Sequence, residues 1–367
     1  MLLAFFIGVG TVCAITTVLA VLMIIADATI ANYGEVGITV NDEKKFESTG
    51  GKPLLSALKE HDIFIPSACG GRGSCGLCKV KVTSGAGDVL PTELPWLTDE
   101  EKEDQIRLSC QLKVKRDVSI YVPEELLNVK EYRTQVRSIR DLTPDIKEIV
   151  LALVEPAEIA FRAGQFIQFE IPPYELTDEP VYRAYSVASP PSHNDRLELQ
   201  VRLVPYGICT TYIFKYLKEG DTVTVNGPYG EFYLRDSARD IVFIAGGTGM
   251  APIKSIVHDM AEKQNSRKAE YFYGARSAQL LLSLDEMEEL QGALPNFRFV
   301  PALSEPLSDD NWTGEKGLII DVVNRRVQSG DNLEAYLCGS PAMIDACIEV
   351  LSAKGVPAEL IFYDKFT

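Results

Sequence analysis

The chain of 367 residues has few histidines, few cysteines and fewer basic than acidic side chains. Its three histidines, His61, His193 and His258, lie far apart and indicate no histidine-rich metal centre. Eight cysteines in a chain of this length do not make a disulfide-stapled secreted module. The 52 acidic residues against 36 basic ones give a net charge of −16, which repels a phosphate backbone, so nucleic acid is not expected as a partner.

Charge is absent from residues 2–26 near the N-terminus. As a helix rising about 1.5 Å per residue, this segment exceeds the roughly 30 Å hydrocarbon core of a bilayer. A cleaved signal peptide is the alternative, but no basic residues precede the apolar run, and the run is longer than the usual length of about 7–15 residues. The sequence therefore predicts a transmembrane anchor over residues 1–28.

Beyond the anchor the sequence pattern changes twice, which predicts three further domains. Residues 33–125 combine short strands with a short amphipathic helix and a glycine- and cysteine-rich loop. Residues 130–235 contain short apolar alternations separated by proline, glycine and aspartate, a pattern typical of a small antiparallel β-barrel. Residues 238–367 alternate apolar runs with helical stretches, which indicates an α/β domain with a parallel sheet.

Four cysteines follow a pattern suited to an iron–sulfur cluster. Cys69, Cys75 and Cys78 lie among glycines, and Cys110 follows near the end of the same predicted domain. Four thiolates around two irons is the favoured interpretation, because glycines let the backbone approach the sulfides. A zinc site also takes four cysteines but usually contains two Cys-x2-Cys pairs, and this chain has one. Buried core cysteines are a third alternative, which the glycine-rich loop disfavours.

This cysteine-bearing segment resembles a ferredoxin domain, which implies a β-grasp fold and a [2Fe–2S] cluster. Five residues separate Cys69 from Cys75, where plant-type ferredoxins have four. The five-residue spacing is similar to that of adrenodoxin-type ferredoxins and of the ferredoxin domain in F subunits of Na⁺-translocating NADH:quinone oxidoreductases.

The predicted barrel carries the sequence VYRAYSVAS. On a strand, Arg183 and Tyr185 face the same side, so a cation and an aromatic ring can approach one ligand together. The R-x-Y-S motif resembles that of the ferredoxin-NADP reductase superfamily, and this resemblance implies FAD. It assigns Arg183 to the pyrophosphate, Tyr185 to the flavin and ribose, and Ser186 to the vicinity of the flavin N5. An ordinary surface pair of arginine and tyrosine is the alternative.

A second phosphate-binding element is expected at GICTTY, residues 207–212. This segment resembles the corresponding element of the same superfamily. There Gly207 opens a helix whose N-terminal amides, together with Thr210, would hold the diphosphate of FAD.

The sequence VFIAGGTGMAP leads from an apolar strand through a glycine turn into a helix. It lacks the G-x-G-x-x-G fingerprint of dinucleotide-binding folds. It resembles the GG-T-G-x-A-P loop of the reductase superfamily, which implies a pyridine nucleotide whose pyrophosphate lies at the helix N-terminus. A tight turn without a ligand is the alternative. The residues expected to bind are Gly246, Gly247, Thr248 and Gly249.

Two segments near the C-terminus are expected beside the nicotinamide. By resemblance to the C-G-x-P segment of the superfamily, Cys338, Gly339 and Pro341 lie at this site, although Cys338 could be a buried strand cysteine. Phe366 is the aromatic residue expected to cover the flavin, with Tyr363 as second choice; either could be a core aromatic. The predicted catalytic residues are Ser186, Cys338 and Phe366.

The choice of nucleotide rests on the sequence FYGARS. It could place Arg276 and Ser277 near the adenosine ribose, where a basic residue could accept the 2′-phosphate of NADPH. Relatives specific for NADH also contain G-A-R, and the overall resemblance favours NADH.

Taken together, the motifs resemble F subunits of Na⁺-translocating NADH:quinone oxidoreductases over nearly the whole chain. One departure is the short region before Arg183. The resemblance implies a membrane-anchored NADH dehydrogenase that passes electrons from NADH through FAD and a [2Fe–2S] cluster to other membrane subunits of a quinone reductase. Thiolate ligation and NADH both require a reducing compartment, so the soluble domains are expected in the cytoplasm and the anchor in the inner membrane.

Two alternatives belong to other functional classes. The same modules could form the reductase component of an oxygenase or the activator of another redox enzyme. The chain could also be a non-catalytic electron carrier with a vestigial flavin site, although the intact Arg183, Tyr185 and Ser186 argue against this.

Overall fold

The computed structural model describes residues 2–29, 33–308 and 310–366. The chain forms two compact units, Met1–Asn128 and Val129–Thr367. The first contains the N-terminal helix and the four clustered cysteines, and the second contains two six-stranded sheets. The predicted multidomain fold is confirmed.

The N-terminal helix α1 covers Leu2–Thr29. Its segment Phe6–Ile24 is long and apolar enough to cross a membrane, and none of it is buried. A signal sequence satisfies the same criteria of length and composition. The predicted apolar helix is therefore confirmed as a helix.

The rest of the first unit is a five-stranded mixed sheet with strand order β2-β1-β5-β3-β4. β1 pairs parallel with β5, and its alternating Val36, Ile38 and Val40 are buried against Leu54 and Leu58 of α2. Such a helix packed on a mixed sheet is the predicted ferredoxin fold. The elements are β1 (Glu35–Val40), β2 (Lys44–Thr49), α2 (Leu54–Lys59), β3 (Lys79–Ser84), α3 (Asp99–Glu103), β4 (Ile106–Leu108), β5 (Val118–Tyr121) and α4 (Glu124–Leu127).

The second unit begins with a six-stranded antiparallel sheet of strand order β10-β7-β6-β11-β8-β9. Its inward-facing side chains, such as Ile149, Phe169 and Leu199, form one hydrophobic core. The elements are β6 (Lys130–Thr143), β7 (Ile146–Glu155), β8 (Phe166–Ile171), β9 (Val181–Ser186), β10 (Arg196–Arg202), α5 (Ile208–Lys215) and β11 (Thr222–Tyr229).

A parallel sheet of strand order β15-β14-β13-β12-β16-β17 completes the second unit. Loops at the carboxyl ends of its neighbouring central strands meet at one edge, where open parallel sheets bind ligands. The elements are β12 (Asp240–Gly246), α6 (Met250–Glu262), β13 (Ala269–Ala275), α7 (Leu284–Ala293), β14 (Phe297–Leu303), β15 (Glu315–Lys316), α8 (Ile319–Arg326), β16 (Leu333–Gly339), α9 (Pro341–Ala353) and β17 (Ile361–Lys365).

Helix α6 packs against the antiparallel sheet within the second unit. Its Ser255 hydroxyl donates to the carbonyl of Ser189 at 2.7 Å, and Ile256 lies close to Gly164. Phe232, which follows β11, belongs to the same hydrophobic core as the buried residues of α6. The barrel and the nucleotide-binding half therefore share one interface built on this helix.

Candidate cofactor sites

The four predicted cluster ligands lie in the first unit as two pairs of thiols. The Cys75 thiol donates to the Cys69 sulfur at 3.4 Å, and the Cys78 thiol hydrogen-bonds the Cys110 sulfur. Within the described residues, no three Cys, His, Asp or Glu side chains converge on a point where one metal ion would bind. Two pairs fit two irons, each held by two cysteines, better than one tetrahedral zinc.

Hydrogen bonds between the thiols favour the thiolate form of Cys69 and Cys110. The hydrogen bond from Cys75 lowers the pKa of Cys69 to about 4, and the hydrogen bond from Cys78 lowers the pKa of Cys110 to about 7. The donors Cys75 and Cys78 have raised pKa values because each donates its proton to its partner and because Cys75 is partly and Cys78 fully buried. In each pair one thiol is therefore shifted toward the thiolate, which is the form that binds iron.

The backbone around the thiols is shaped by glycine. Gly70, Gly71, Gly73 and Gly76 all have positive φ, which glycine adopts without steric cost. A Cβ at Gly76 would lie 2.9 Å from the Trp96 ring, so the indole packs directly on the loop. The loop is therefore wound tightly enough to present its sulfurs inward.

A buried ion pair holds the segment that carries Trp96. The Glu93 carboxylate accepts from the Arg107 guanidinium at 2.5 and 3.0 Å and from the backbone N–H groups of Leu108 and Leu90. The side chains of Glu93 and Arg107 are 0% and 3% exposed. The pair fastens the segment to β4, whose continuation delivers Cys110.

The predicted flavin-binding residues lie along β9. Arg183 and Tyr185 are partly exposed, whereas Ser186 at the strand end is buried. The Arg183 guanidinium donates to the Tyr182 carbonyl at 2.7 Å, and the Tyr185 ring packs edge-on against Phe169. Burial raises the pKa of Tyr185, which keeps its hydroxyl protonated. The strand thus presents a cation and an aromatic ring on one face, as the motif predicts.

The second predicted phosphate-binding element lies next to β9. Gly207 is the residue before α5, and a Cβ there would lie 2.8 Å from the Thr210 hydroxyl and 3.0 Å from the Val204 carbonyl. The Thr210 hydroxyl accepts from the Val204 N–H at 3.1 Å, so it closes the turn that precedes the helix. The N–H groups at the start of α5 suit a diphosphate.

The glycine turn at residues 246–249, here called the nucleotide loop or glycine loop, contacts the C-G-x-P segment at the edge of the parallel sheet. A Cβ at Gly249 would lie 2.2 Å from the Cys338 carbonyl oxygen, and a Cβ at Gly339 would lie 3.3 Å from the Gly246 carbonyl oxygen. Thr248 lies within the single turn between β12 and α6, and the Tyr273 hydroxyl donates to the Gly247 carbonyl at 3.0 Å. The predicted residues of these two motifs therefore form one site, with Pro341 opening α9 beside it.

Phe366 lies beside this site. Its backbone N–H donates to the Gly339 carbonyl at 2.9 Å, and its partly exposed ring packs at the edge of the core. Tyr363 is 51% exposed. Cys338 is fully buried, and burial raises the pKa of its thiol well above the ordinary value, so it stays protonated.

Two further residues near these sites belong to none of the motifs. Asp364 lies opposite Cys338 in neighbouring parallel strands, and burial raises the pKa of its carboxyl to about 6. Tyr206, directly before Gly207, is 96% exposed with φ of 60°, so its ring can stack on a ligand. In the sequence, Asp364 stands out as an acidic residue within an apolar strand, and Tyr206 as an aromatic residue directly before a glycine.

Arg276 and Ser277, the residues expected to distinguish NADH from NADPH, follow β13. Arg276 is exposed, and its carbonyl accepts from the Glu305 N–H at 2.8 Å. Ser277 precedes a single helical turn. Both therefore lie at the carboxyl end of the strand next to the glycine loop, where an adenosine ribose could reach them.

Three protein families match consecutive parts of the chain. Residues 38–115 match the 2Fe-2S iron-sulfur cluster binding domain, residues 133–233 the oxidoreductase FAD-binding domain, and residues 243–349 the oxidoreductase NAD-binding domain. The sets of cysteines, barrel residues and loop glycines described above fall within these three domains. The predicted cofactor classes are thereby confirmed.

Two solved structures are similar over most of their length. The Amycolatopsis cytochrome P450 reductase GcoB superposes with a TM-score of 0.74 at 29% identity, covering 90% of this chain and 99% of that protein. The ferredoxin reductase in carbazole 1,9a-dioxygenase gives a TM-score of 0.70 at 25% identity, covering 91% and 98%.

Curated relatives match the chain from end to end. The F subunit of the Na(+)-translocating NADH-quinone reductase of Neisseria meningitidis is 39% identical, and that of Actinobacillus succinogenes is 38% identical. The alignments cover 98% and 99% of this chain and 98% of each relative. The first spans 399 positions against the 367 residues of this chain, so that relative has residues that this chain lacks. The chain belongs to the family of F subunits of Na(+)-translocating NADH-quinone reductases.

Proposed function

We propose that this chain is the electron-input subunit of a membrane-bound, Na⁺-translocating NADH-quinone reductase. It takes electrons from NADH and passes them through FAD and a [2Fe–2S] cluster to another protein of the complex. One observation carries this proposal: the chain combines two thiol pairs in its first unit with two predicted cofactor-binding segments in its second. These segments are β9, here called the flavin strand, and the nucleotide loop. The identity of 39% over nearly the full length supports the assignment to this complex.

Each group of residues has a distinct task in this route. When bound, FAD accepts two electrons from NADH and releases them singly to the cluster. Arg183 and the N-terminal amides of α5 would hold the FAD diphosphate, and Tyr185 would pack on the flavin. The loop Gly246–Gly249 holds the diphosphate of NADH. Ser186, Cys338 and Phe366 would line the place where hydride passes between the two cofactors and would exclude water there.

Helix α1 is proposed to anchor the chain in the cytoplasmic membrane, with the rest of the chain in the cytoplasm. Its uncharged segment Phe6–Ile24 fits one crossing of a bilayer. The cytoplasm supplies NADH and keeps Cys69, Cys75, Cys78 and Cys110 reduced for cluster assembly. Other membrane subunits of the complex would receive the electrons and reduce the quinone.

Fractionation of cells that contain the tagged native chain tests this proposal. We expect the chain in the membrane fraction, co-purifying in detergent with other membrane proteins and with NADH-quinone reductase activity that Na⁺ stimulates. A chain that stays in the supernatant and purifies alone would contradict the assignment to a membrane complex.

A reductase component of an oxygenase is the second candidate. The similarity to GcoB and to the carbazole dioxygenase reductase favours it, because both solved structures match nearly the whole chain. In that case the soluble chain would pass electrons to an oxygenase and show no Na⁺ dependence. The identities of 29% and 25% to these reductases, against 39% to the curated F subunit, favour the membrane complex.

A further inference from the structure

Lys254 is a buried lysine on α6, one helical turn beyond the glycine loop. Its side chain is 4% exposed, and its ammonium nitrogen lies 3.0 Å from a Glu286 oxygen, 3.3 Å from a Glu198 oxygen and 4.0 Å from a Glu148 oxygen. Burial lowers the pKa of Lys254, but the three carboxylates outweigh burial and raise it. The lysine therefore stays charged, and the three carboxylates balance its charge.

The three carboxylates come from both halves of the second unit. Glu148 lies in β7 and Glu198 in β10 of the barrel, whereas Glu286 lies in α7 of the nucleotide-binding half. The Glu286 carboxylate also contacts His258 Nε2 at 2.7 Å. Arg140 contacts Glu148 at 2.9 Å from the solvent side. Lys254 is thus the cation that joins helix α6 to two barrel strands.

The same strand β10 reaches both cofactor sites. Leu199 bridges Val187, the residue directly after Ser186. Arg202 lies close enough to Gly247 that a Cβ there would be 3.6 Å from its guanidinium. Glu198, next to Leu199 along the strand, contacts Lys254. A shift of α6 along β10 would therefore move the nucleotide loop relative to the flavin strand.

We propose that Lys254 is a positioning residue for electron entry. Through Glu198 and Glu148 it fixes α6, and with it the glycine loop, in register with the strand that ends at Ser186. This inference rests on the proposed function, since it concerns the transfer from NADH to FAD. Apolar contacts between α6 and the barrel are compatible with small sliding motions, whereas the hydrogen-bonded ion pair of Lys254 with Glu198, together with its longer ion pair with Glu148, resists them. Misplacement of reacting groups by about 1 Å can slow a reaction about 100-fold.

The test compares the full chain, with both cofactors bound, with its variants Lys254→Met and Lys254→Arg. Stopped-flow absorbance gives the limiting rate of flavin reduction by NADH, and calorimetry gives the Kd for NAD⁺. We expect Lys254→Met to lower the limiting rate about 10- to 100-fold, with the Kd changed less than about twofold, and Lys254→Arg to restore most of the rate. The matched control is Lys263→Met, directly after the same helix, which is 70% exposed and pairs with Asp259; it should change neither quantity.

A second variant separates positioning from stability. Lys254→Met removes the cation that pairs with Glu198, while Glu148 keeps its contact with Arg140 and Glu286 its contact with His258, and the variant should have a lower unfolding temperature. The double variant Lys254→Met/Glu198→Met replaces the ion pair by apolar side chains and should regain part of that temperature without regaining the rate. A limiting rate that stays near the original in Lys254→Met, or that returns in the double variant together with stability, would overturn the proposal. If the unsubstituted chain shows no flavin reduction by NADH, the proposed function fails, and this inference fails with it.

Discussion

At the scale of single residues, replacing one of the four clustered cysteines is expected to prevent the first unit from binding its iron–sulfur cluster. The Cys75 thiol contacts Cys69 within one of the two pairs, and if this pair binds one iron, as predicted, a serine at position 75 leaves that iron with a single protein sulfur. We expect Cys75→Ser to abolish the visible absorbance and the electron paramagnetic resonance signal of the cluster. Reduction of ferricyanide by NADH should persist, because it depends on the second unit.

The matched control for this prediction is Cys347→Ala. Cys347 is fully buried on α9 of the second unit, whereas the four clustered thiols belong to the first unit. This variant should keep the cluster signals unchanged. An unaltered cluster spectrum in Cys75→Ser would refute the ligand assignment.

Arg183 is predicted to retain FAD through its guanidinium. A charge-assisted hydrogen bond is worth about 1.5–3 kcal/mol, so Arg183→Ala should weaken FAD binding by about 10- to 100-fold. Titration of the flavin-free protein with FAD, followed by fluorescence, measures this. Arg133→Ala in the same barrel removes an arginine that is 57% exposed and should leave the affinity unchanged. Equal affinities for both variants would exclude Arg183 from the site.

Glu93 is predicted to stabilise the cluster-bearing unit. Glu93→Gln leaves the buried Arg107 without its counter-charge, which costs about 3–5 kcal/mol in the free energy of unfolding. Urea unfolding, followed by loss of cluster absorbance, measures the change. The control Glu60→Gln breaks an exposed pair with Lys52 and should cost about 0–1 kcal/mol. A similar small cost for Glu93→Gln would show that the buried pair does not fasten this segment.

At the scale of elements, the site depends on how closely the turn after β12 approaches the end of β16. Gly249 has φ of −60°, which any residue can adopt, so the constraint is the Cys338 carbonyl 2.2 Å from a Cβ at this position. Gly249→Ala must push the two segments apart. We expect NAD⁺ binding to weaken at least about tenfold by calorimetry, which corresponds to about 1.4 kcal/mol, while FAD is retained.

Gly292 on α7 is the control for this substitution. A Cβ at Gly292 meets no atom within 4 Å, and the residue lies in a helix. Gly292→Ala should stabilise the protein by about 0.4–1 kcal/mol and leave NAD⁺ binding unchanged. If Gly249→Ala bound NAD⁺ as tightly as Gly292→Ala, the close approach would have no role in the site.

The sequence predicted these elements well where local rules apply. Strand alternation, the glycine turn before α6 and the clustered cysteines each depend on neighbouring residues, so their patterns are visible in the chain. The pairing of Cys69 with Cys75 and of Cys78 with Cys110 was not predictable, because it depends on how the loop winds. The hydrogen bond by which the Thr210 hydroxyl closes the turn before α5 was not predictable from the sequence either.

For the whole molecule, the contacts that join distant segments were the least predictable. Lys254 follows a motif at the start of an amphipathic helix, where a lysine is ordinarily exposed. Its partners Glu148 and Glu198 come from strands far earlier in the sequence, so no local pattern reveals them. The sequence predicts a barrel and an α/β domain but not that the two pack together into one compact unit, Val129–Thr367. That shared unit is what brings a flavin strand and a nucleotide loop together.

The central claim is that electrons enter from NADH and reach the cluster through the flavin. Anaerobic titration of the detergent-solubilised full chain with NADH, followed by absorbance and electron paramagnetic resonance, tests it most directly. We predict that the flavin absorbance bleaches and that the signal of a reduced [2Fe–2S] cluster then appears. Bleaching without that signal would contradict the route to the cluster, and an unbleached flavin would contradict NADH as the electron donor.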